Sequence, residues 1–125
     1  MDKRKTNILF VEDDINLGLL LKDFLERAGY LVTLCRDGEE GFCVFKENLN
    51  KHGLCILDGM LPKKDGFTLA FEIRKLNRDI PIIFLTASNQ PGFRQRASEL
   101  NAAGYFEKPY EPKELLTAIQ AALSE

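Results

Sequence analysis

Short apolar runs alternate with amphipathic stretches from one end of the chain to the other, and that alternation leaves few architectures open. Asn7–Val11 (NILFV), Leu31–Cys35, Leu54–Asp58 (LCILD), Ile80–Thr86 (IPIIFLT) and Ala103–Glu107 are brief and strongly apolar. Such runs suit strands buried on both faces. Between them lie helical patterns: about Ile15–Ala28, a segment opened by Asp37-Gly38 and reaching Glu47, Phe67–Leu76, roughly Phe93–Leu100, and Glu111–Leu123. In the first, Leu17, Leu20, Leu21, Phe24 and Leu25 fall at helical spacing, Asp14 suits an N-cap, and Gly29 suits the position just past the end. In the second, Gly41, Val44 and Phe45 are expected to face the sheet. Met60 to Gly66 is a loop by its Pro and Gly content, Asn89-Gln90-Pro91-Gly92 disturbs the start of the fourth helix, and Pro112 sits near N1 of the last. Five strands alternating with five helices predict βαβ units: a doubly wound α/β fold, a parallel sheet, helices on both faces and right-handed crossovers. The phenylalanines Phe10, Phe24, Phe42, Phe45, Phe67, Phe71 and Phe84 read as core by their periodicity.

The 125 residues, 45% of them hydrophobic, can bury one real core without metal or disulfide staples, so a single domain over residues 1–125 is expected, with its core about 6–123. A formal net charge of −2 leaves no basic footprint for nucleic acid, so the chain is not expected to touch DNA directly. The basic start at Met1 is followed by an apolar run too short for a signal peptide, and no segment has the apolar length of a membrane span. The three cysteines, Cys35, Cys43 and Cys55, lack metal-ligand spacing, and Cys35 and Cys55 read as small buried hydrophobes. The cytoplasm is the expected compartment.

In an open parallel sheet, function gathers at the carboxyl ends of the strands, near the point where strand order reverses. The first strand ends at Glu12-Asp13-Asp14, the third at Asp58, the fourth at Thr86-Ala87, and the fifth runs out to Lys108-Pro109. Carboxylates so clustered repel one another unless a cation neutralises them or their pKa values rise. All-oxygen ligands with room for water and phosphate suit Mg²⁺. A carboxylate beside such a cation can attack phosphorus and form an acyl phosphate. The charge developing on the transferred oxygens then needs a cation and hydrogen-bond donors, which Lys108, Thr86 and the backbone N–H of Ala87 can supply. Taken alone, Thr86 is an ordinary strand residue and Lys108 a solvated lysine, and their company at one edge gives the functional reading; Asp14 could be a ligand, but a helix N-cap suits it better.

ILFVEDD (Ile8–Asp14), LDGMLPKKDG (Leu57–Gly66), IIFLTA (Ile82–Ala87) and YFEKPY (Tyr105–Tyr110) occur in that order, each at an expected strand end. In these four motifs the chain resembles the receiver domain of bacterial two-component response regulators, from about Thr6 to Leu123. The resemblance implies a flavodoxin-like strand order, 2-1-3-4-5. It implies that Asp58 accepts a phosphoryl group from a phosphohistidine on a sensor histidine kinase. Asp13, Asp58 and the main-chain carbonyl of Met60 would ligate Mg²⁺, with Glu12 acting through water. Lys108 would pair with the phosphate, Thr86 would bond a phosphoryl oxygen, and Tyr105 would turn inward with it as the aromatic switch partner. The Lys108–Pro109 bond would be cis. Signals would leave through the fourth helix, fifth strand and fifth helix to an output domain or partner protein, in a switch whose only chemistry is self-catalysed phosphotransfer and autodephosphorylation. Met60-Leu61-Pro62 followed by Asp65-Gly66 is most similar to receivers of the winged-helix transcription-factor subfamily, and a phosphorylation-dependent homodimer is compatible with it.

The chain departs from that pattern at Asn101-Ala102-Ala103-Gly104, which lacks the acidic pair of a charged dimer face, and at Pro91-Gly92. Two rival functions weigh against the signalling reading. A phosphatase resembling the haloacid dehalogenases needs a second acid two residues after its nucleophile, and Met60 stands there. A receiver fold that only docks would ordinarily have lost the acidic pair, the aspartate or the lysine, and this chain keeps all of them. No G-x-G-x-x-G follows the first strand, which removes a dinucleotide-binding reading.

Overall fold

A computed structural model describes residues 6–87 and 90–124. Along these residues run β1 (Asn7–Val11), α1 (Ile15–Arg27), β2 (Leu31–Cys35), α2 (Gly38–Glu47), β3 (His52–Asp58), α3 (Gly66–Leu76), β4 (Ile82–Thr86), α4 (Phe93–Glu99), β5 (Gly104–Glu107) and α5 (Pro112–Leu123). The strands form one parallel five-stranded sheet in the order β2-β1-β3-β4-β5. Strand order reverses between β1 and β3, so the crevice above their carboxyl ends is where this topology opens a site.

Alternation along the strands divides the interior into two layers. Leu9 and Val11 of β1, Cys55 and Leu57 of β3, and Ile82 and Phe84 of β4 pack with Phe45 of α2, Phe67, Leu69 and Ile73 of α3, and Phe93 and Ala97 of α4. Ile8 and Phe10, Leu54 and Ile56, and Ile83 and Leu85 point the other way, onto Leu21 and Leu25 of α1 and Leu115 and Ile119 of α5. Cys35 and Cys55 are buried in the first layer, and burial pushes each thiol up to about 12, where it stays protonated.

Local chemistry sets the helix ends. Asp14 accepts from Leu17 N, Asp37 from Glu40 N, and Asp65 from Phe67 N and Thr68 N, each as the N-cap of its helix. Past Arg27, Gly29 takes φ 106° while its N–H donates to Glu26 O and that of Tyr30 donates to Leu25 O, a Schellman ending. Arg74 of α3 donates to the carbonyls of Leu100, Ile80 and Asn101, and so holds the C-terminal end of α4 against the start of β4.

Several expected boundaries shift. β3 begins at His52 and not Leu54, because Asn7 pairs with His52 and Ile8 with Leu54, leaving Gly53 as a bulge residue whose added Cβ would lie 2.7 Å from Thr6 Cγ2. β4 begins at Ile82, since Pro81 has no N–H to give the ladder, although its carbonyl still accepts from Cys55 N. Gly92, at φ 90°, is the N-cap of α4, so the interruption expected at Pro91-Gly92 is real; Asn89 lies outside the described residues. The α1 stripe is narrower than its periodicity suggests: Gly18, Leu21 and Leu25 are buried, whereas Leu17 and Leu20 are exposed. Phe71 is also no core residue; it is 53% exposed, with the Lys75 ammonium 4.6 Å from its ring centroid.

At the opposite edge of the sheet from the strand carboxyl ends, His52 is buried against Phe45 with ring centroids 6.3 Å apart. Among the described residues neither of its ring nitrogens has a hydrogen-bond partner. Burial, with Lys51 nearby, lowers its pKa below the ordinary 6.5. The unfolded chain therefore binds a proton here at a pH where the folded chain does not, so this residue's contribution to stability is complete above about pH 6.5 and is lost as pH falls through the folded pKa. Urea midpoints should decline from pH 7.5 to pH 5.5, and His52→Phe should flatten that decline at no cost near neutrality. An unchanged slope in His52→Phe would assign the decline to other groups.

Candidate functional site

Four strand ends meet above the β1–β3 reversal. Glu12 and Asp13 follow β1, and Glu12 is held in register by its own N–H, which donates to Cys35 O at 2.9 Å. Asp58 is the last residue of β3, Thr86 the last of β4, and Lys108 follows β5 with its N–H donating to Thr86 O at 2.8 Å. The Lys108–Pro109 bond is cis, as expected.

The Lys108 ammonium donates to Glu12 Oε1 at 2.6 Å and to Asp58 Oδ2 at 2.9 Å. Glu12 and Asp58 are only 2% and 4% exposed. Burial raises the Glu12 pKa, against the lowering effects of the Lys108 hydrogen bond and of the Asp14 N–H that donates to Oε2 at 3.1 Å. Burial opposes the charge on Lys108 too, but its hydrogen bonds to Asp58 and Glu12 prevail, and the lysine pKa lies above its ordinary value. The lysine is thus a fixed cation over the physiological range. Asp58 Oδ1 accepts from Met60 N at 3.0 Å, which turns the following loop back over the carboxylate.

Oxygens of Glu12, Asp13 and Asp58 lie within 4.8 Å of one another, with Asp13 exposed between two buried acids. This is a hard, all-oxygen donor set with one open side, the kind that fits Mg²⁺ and leaves room for water and phosphate. Asp14 stands apart from it as the α1 cap, which settles the choice between ligand and cap.

Thr86 is fully buried, and Ala87 after it is exposed at the rim. Strand register pairs Phe84 with Tyr105 and Thr86 with Glu107, so Thr86 and Tyr105 share the sheet face covered by α3 and α4. Tyr105 is half-buried, with the Arg94 guanidinium 4.7 Å from its ring centroid and Arg94 Nη2 also 3.7 Å from Glu107. Burial raises the phenol pKa, so the ring stays neutral.

Sequence reading missed three features around these residues. Arg94 covers the tyrosine. Arg96 lies 4.5 Å from the Phe67 ring centroid and 3.9 Å from Asp65, across a cavity of about 480 Å³ that also reaches Asp13 and Met60. On the other side of the site, Leu17, Leu20 and Phe24 of α1 form with Ala87, Pro109 and Tyr110 an apolar groove of about 660 Å³ bordered by Lys108. The signal for the groove was present: α1 carries more leucines than one core-facing stripe can use.

Comparison with known proteins agrees with this geometry. Residues 8–120 match the response regulator receiver domain. The transcriptional regulatory protein RprY of Bacteroides fragilis is 47% identical over 119 residues, 95% of this chain and 50% of that protein. The probable transcriptional regulator ycf27 of Cyanophora paradoxa is 41% identical over 98% of this chain and 50% of its own length. The chain thus spans about half the length of these relatives. Among solved structures, the non-phosphorylated HemR receiver domain of Leptospira biflexa superposes with a TM-score of 0.89 at 38% identity, covering 97% of this chain and 96% of that one. With its strand order, the match along residues 8–120 and transcriptional regulators among its relatives, the chain belongs to the response regulator receiver domains.

Proposed function

We propose that residues 1–125 act as one cytoplasmic receiver domain whose Asp58 takes a phosphoryl group from a phosphohistidine of a sensor histidine kinase, in a Mg²⁺-dependent reaction. The observation that carries this is the half-buried Lys108 ammonium joined to both Glu12 and Asp58, with Asp13 open beside them. In transfer, an Asp58 carboxylate oxygen bonds to phosphorus as the donor's phosphorus–nitrogen bond breaks and its electron pair leaves on the imidazole. Lys108 is placed to pair with the arriving phosphoryl oxygens, and Thr86 with the Ala87 N–H to donate to them. Asp13, Asp58 and the Met60 carbonyl would hold Mg²⁺ directly and Glu12 through water; the ion supplies charge neutralisation among the acids and the phosphoryl oxygens. The chain is a switch, with autodephosphorylation as its other chemistry. The apolar groove beside Lys108 and Ala87 offers a phosphodonor protein a dry surface next to the acceptor.

The output follows from differential contact. Phosphorylation adds anionic oxygens beyond Asp58 to which the Thr86 hydroxyl can donate, so that form favours Thr86 drawn toward Asp58 with Tyr105 turned inward behind it. That hydrogen bond plus the lysine contact amounts to roughly 2–4 kcal/mol, enough to reverse a modest preference. The rearranged face of α4, β5 and α5 would then signal to an output domain or partner, in transcription regulation by analogy with the relatives, or drive a homodimer. The short α4–β5 connection through Asn101-Ala102-Ala103-Gly104 offers no acidic pair for such a dimer.

Incubation with a small phosphodonor and Mg²⁺ should add one phosphoryl group by intact mass, and Asp58→Asn should abolish it while leaving the fold intact. Labelling that persists in Asp58→Asn would place the acceptor elsewhere. Thr86→Ala should accept phosphate but lose the phosphorylation-dependent amide shifts in Phe93–Glu99 and at Tyr105; shifts equal to the parent's would remove Thr86 from the switch. Lys108→Met strands two buried carboxylates and should lower stability at pH 7 by about 3 kcal/mol. Without the lysine the Glu12 pKa rises further, so the folded state binds a proton before the unfolded chain does. The deficit should therefore shrink as pH falls through that folded pKa toward the unfolded one, readable in urea midpoints, and a pH-independent deficit would contradict the pairing.

A further inference from the structure

The segment after Asp58 is gripped from three sides, and one grip comes from a helix that carries none of the site's side chains. At its end, Gly66 N donates to Gly59 O at 3.1 Å, and a Cβ added at Gly66 would lie 1.9 Å from Asp58 O. In its middle, Lys64 N donates to Pro62 O at 2.7 Å around Lys63, which sits at φ 68° in the left-handed region that a side chain disfavours. From outside comes α2. Gly38, its first residue, lies so close to this turn that an added Cβ would be 1.8 Å from Lys64 O and 2.7 Å from Lys64 C. Gly38 N also donates to Pro62 O at 3.3 Å, and Lys63 Nζ lies 3.7 Å from Asp37, the α2 cap. The Lys64 ammonium packs 4.4 Å from the Phe42 ring centroid on α2 and pairs with Glu72 on α3.

The same helix is pressed against the other half of the site. A Cβ added at Gly41, one turn on, would lie 2.9 Å from Val11 Cγ2, and Val11 directly precedes Glu12 and Asp13. Helix α2 therefore touches both ligand-bearing segments, the end of β1 and the loop after β3, through glycines that allow its backbone to come close.

We propose that α2 is a positioning element for the cation site: Gly38 and Lys64 set the loop that aims the Met60 carbonyl relative to Asp13 and Asp58. This rests on the reading that these groups hold Mg²⁺. A strained turn keeps its shape only where its surroundings over-determine it, and here the surroundings are α2. A loop freed to relax would move the carbonyl while leaving the three carboxylates in place, so cation affinity would fall before the fold does.

The test is titration with Mg²⁺ alone, followed by amide chemical shifts, on the parent chain and on Gly38→Ala, Lys64→Met and Asp13→Asn. Gly38→Ala should bind Mg²⁺ about tenfold more weakly, as expected of groups that support ligands and do not themselves ligate. Lys64→Met gives a sign test. Removing a positive charge near a cation site should by Coulomb's law tighten binding, whereas a loosened loop should weaken it. If Gly38→Ala does not give a folded amide spectrum, the direction of change in Lys64→Met decides. Parent-like or tighter binding in Lys64→Met, or parent-like binding in a folded Gly38→Ala, overturns the positioning role while the metal reading stands. Mg²⁺-dependent shifts that survive Asp13→Asn, or that are absent near Glu12 and Asp58 in the parent, sink the metal reading and this inference with it.

Discussion

Lys108 is the residue on which the ends of three strands depend. Two carboxylates as enclosed as Glu12 and Asp58 could not remain charged side by side without a cation between them. Contacts at 2.6 and 2.9 Å are each worth roughly 6 kcal/mol of gross attraction at an effective dielectric near 20. Desolvation of all three groups consumes most of that gain. The net contribution to stability is small; what the arrangement provides is a defined geometry, since removing the lysine leaves both carboxylates uncompensated. The sequence positions involved, 12, 58 and 108, are far apart in the chain, and only the parallel sheet brings them together. Fold and site are therefore one problem: the crossovers bring the strand ends together, and the buried charges penalise any register that would not.

The two faces of the sheet then divide the work. One carries α2, α3 and α4 and receives Phe84, Thr86 and Tyr105 by strand register, so a change at Asp58 can be felt on that side. The other carries α1 and α5, and its rim is the apolar groove that borders Lys108. The groove thus lies on the α1 and α5 side, while Thr86 and Tyr105 lie on the side covered by α3 and α4.

How much of this was legible depended on whether a feature is local. Short apolar runs fixed the strands and their parallel arrangement, and the caps at Asp14, Asp37 and Asp65 are one-residue signals that need no partner beyond their own helix. Strand-end residues were legible because topology dictates where they converge. Leu17 and Leu20 misled because helical periodicity counts leucines without knowing how wide the sheet beneath them is, and Phe71 misled for the same reason. Arg74 was invisible: three carbonyl acceptors up to 27 residues away leave no trace in local pattern. The left-handed turn at Lys63 was equally hidden, since a lysine there contradicts intrinsic preference and only the approach of Gly38 explains it.

Helix α4 shows most directly how such non-local contacts bear on signalling. It has seven residues, a glycine N-cap and no side-chain cap hydrogen bond, so its own sequence supports it weakly. Its hold on the molecule comes from elsewhere: Phe93 against Phe67 at 5.0 Å, Arg96 over that same ring, Arg94 over Tyr105, and Arg74 at its C-terminal carbonyls. Phe67 in turn packs against Phe84 of β4 at 4.7 Å, and a Cβ added at Gly59, the residue after Asp58, would lie 2.9 Å from Phe67 Cε2 and 3.5 Å from Thr86 Oγ1. Two of the contacts that fix α4, those of Phe93 and Arg96, therefore run through the Phe67 ring to within one residue of the phosphoacceptor candidate. An element stabilised by its neighbours more than by itself changes position when those neighbours do. A small displacement of Thr86 or of the loop after Asp58 is met first by Phe67 and Tyr105, and both of those rings lie under arginines of α4.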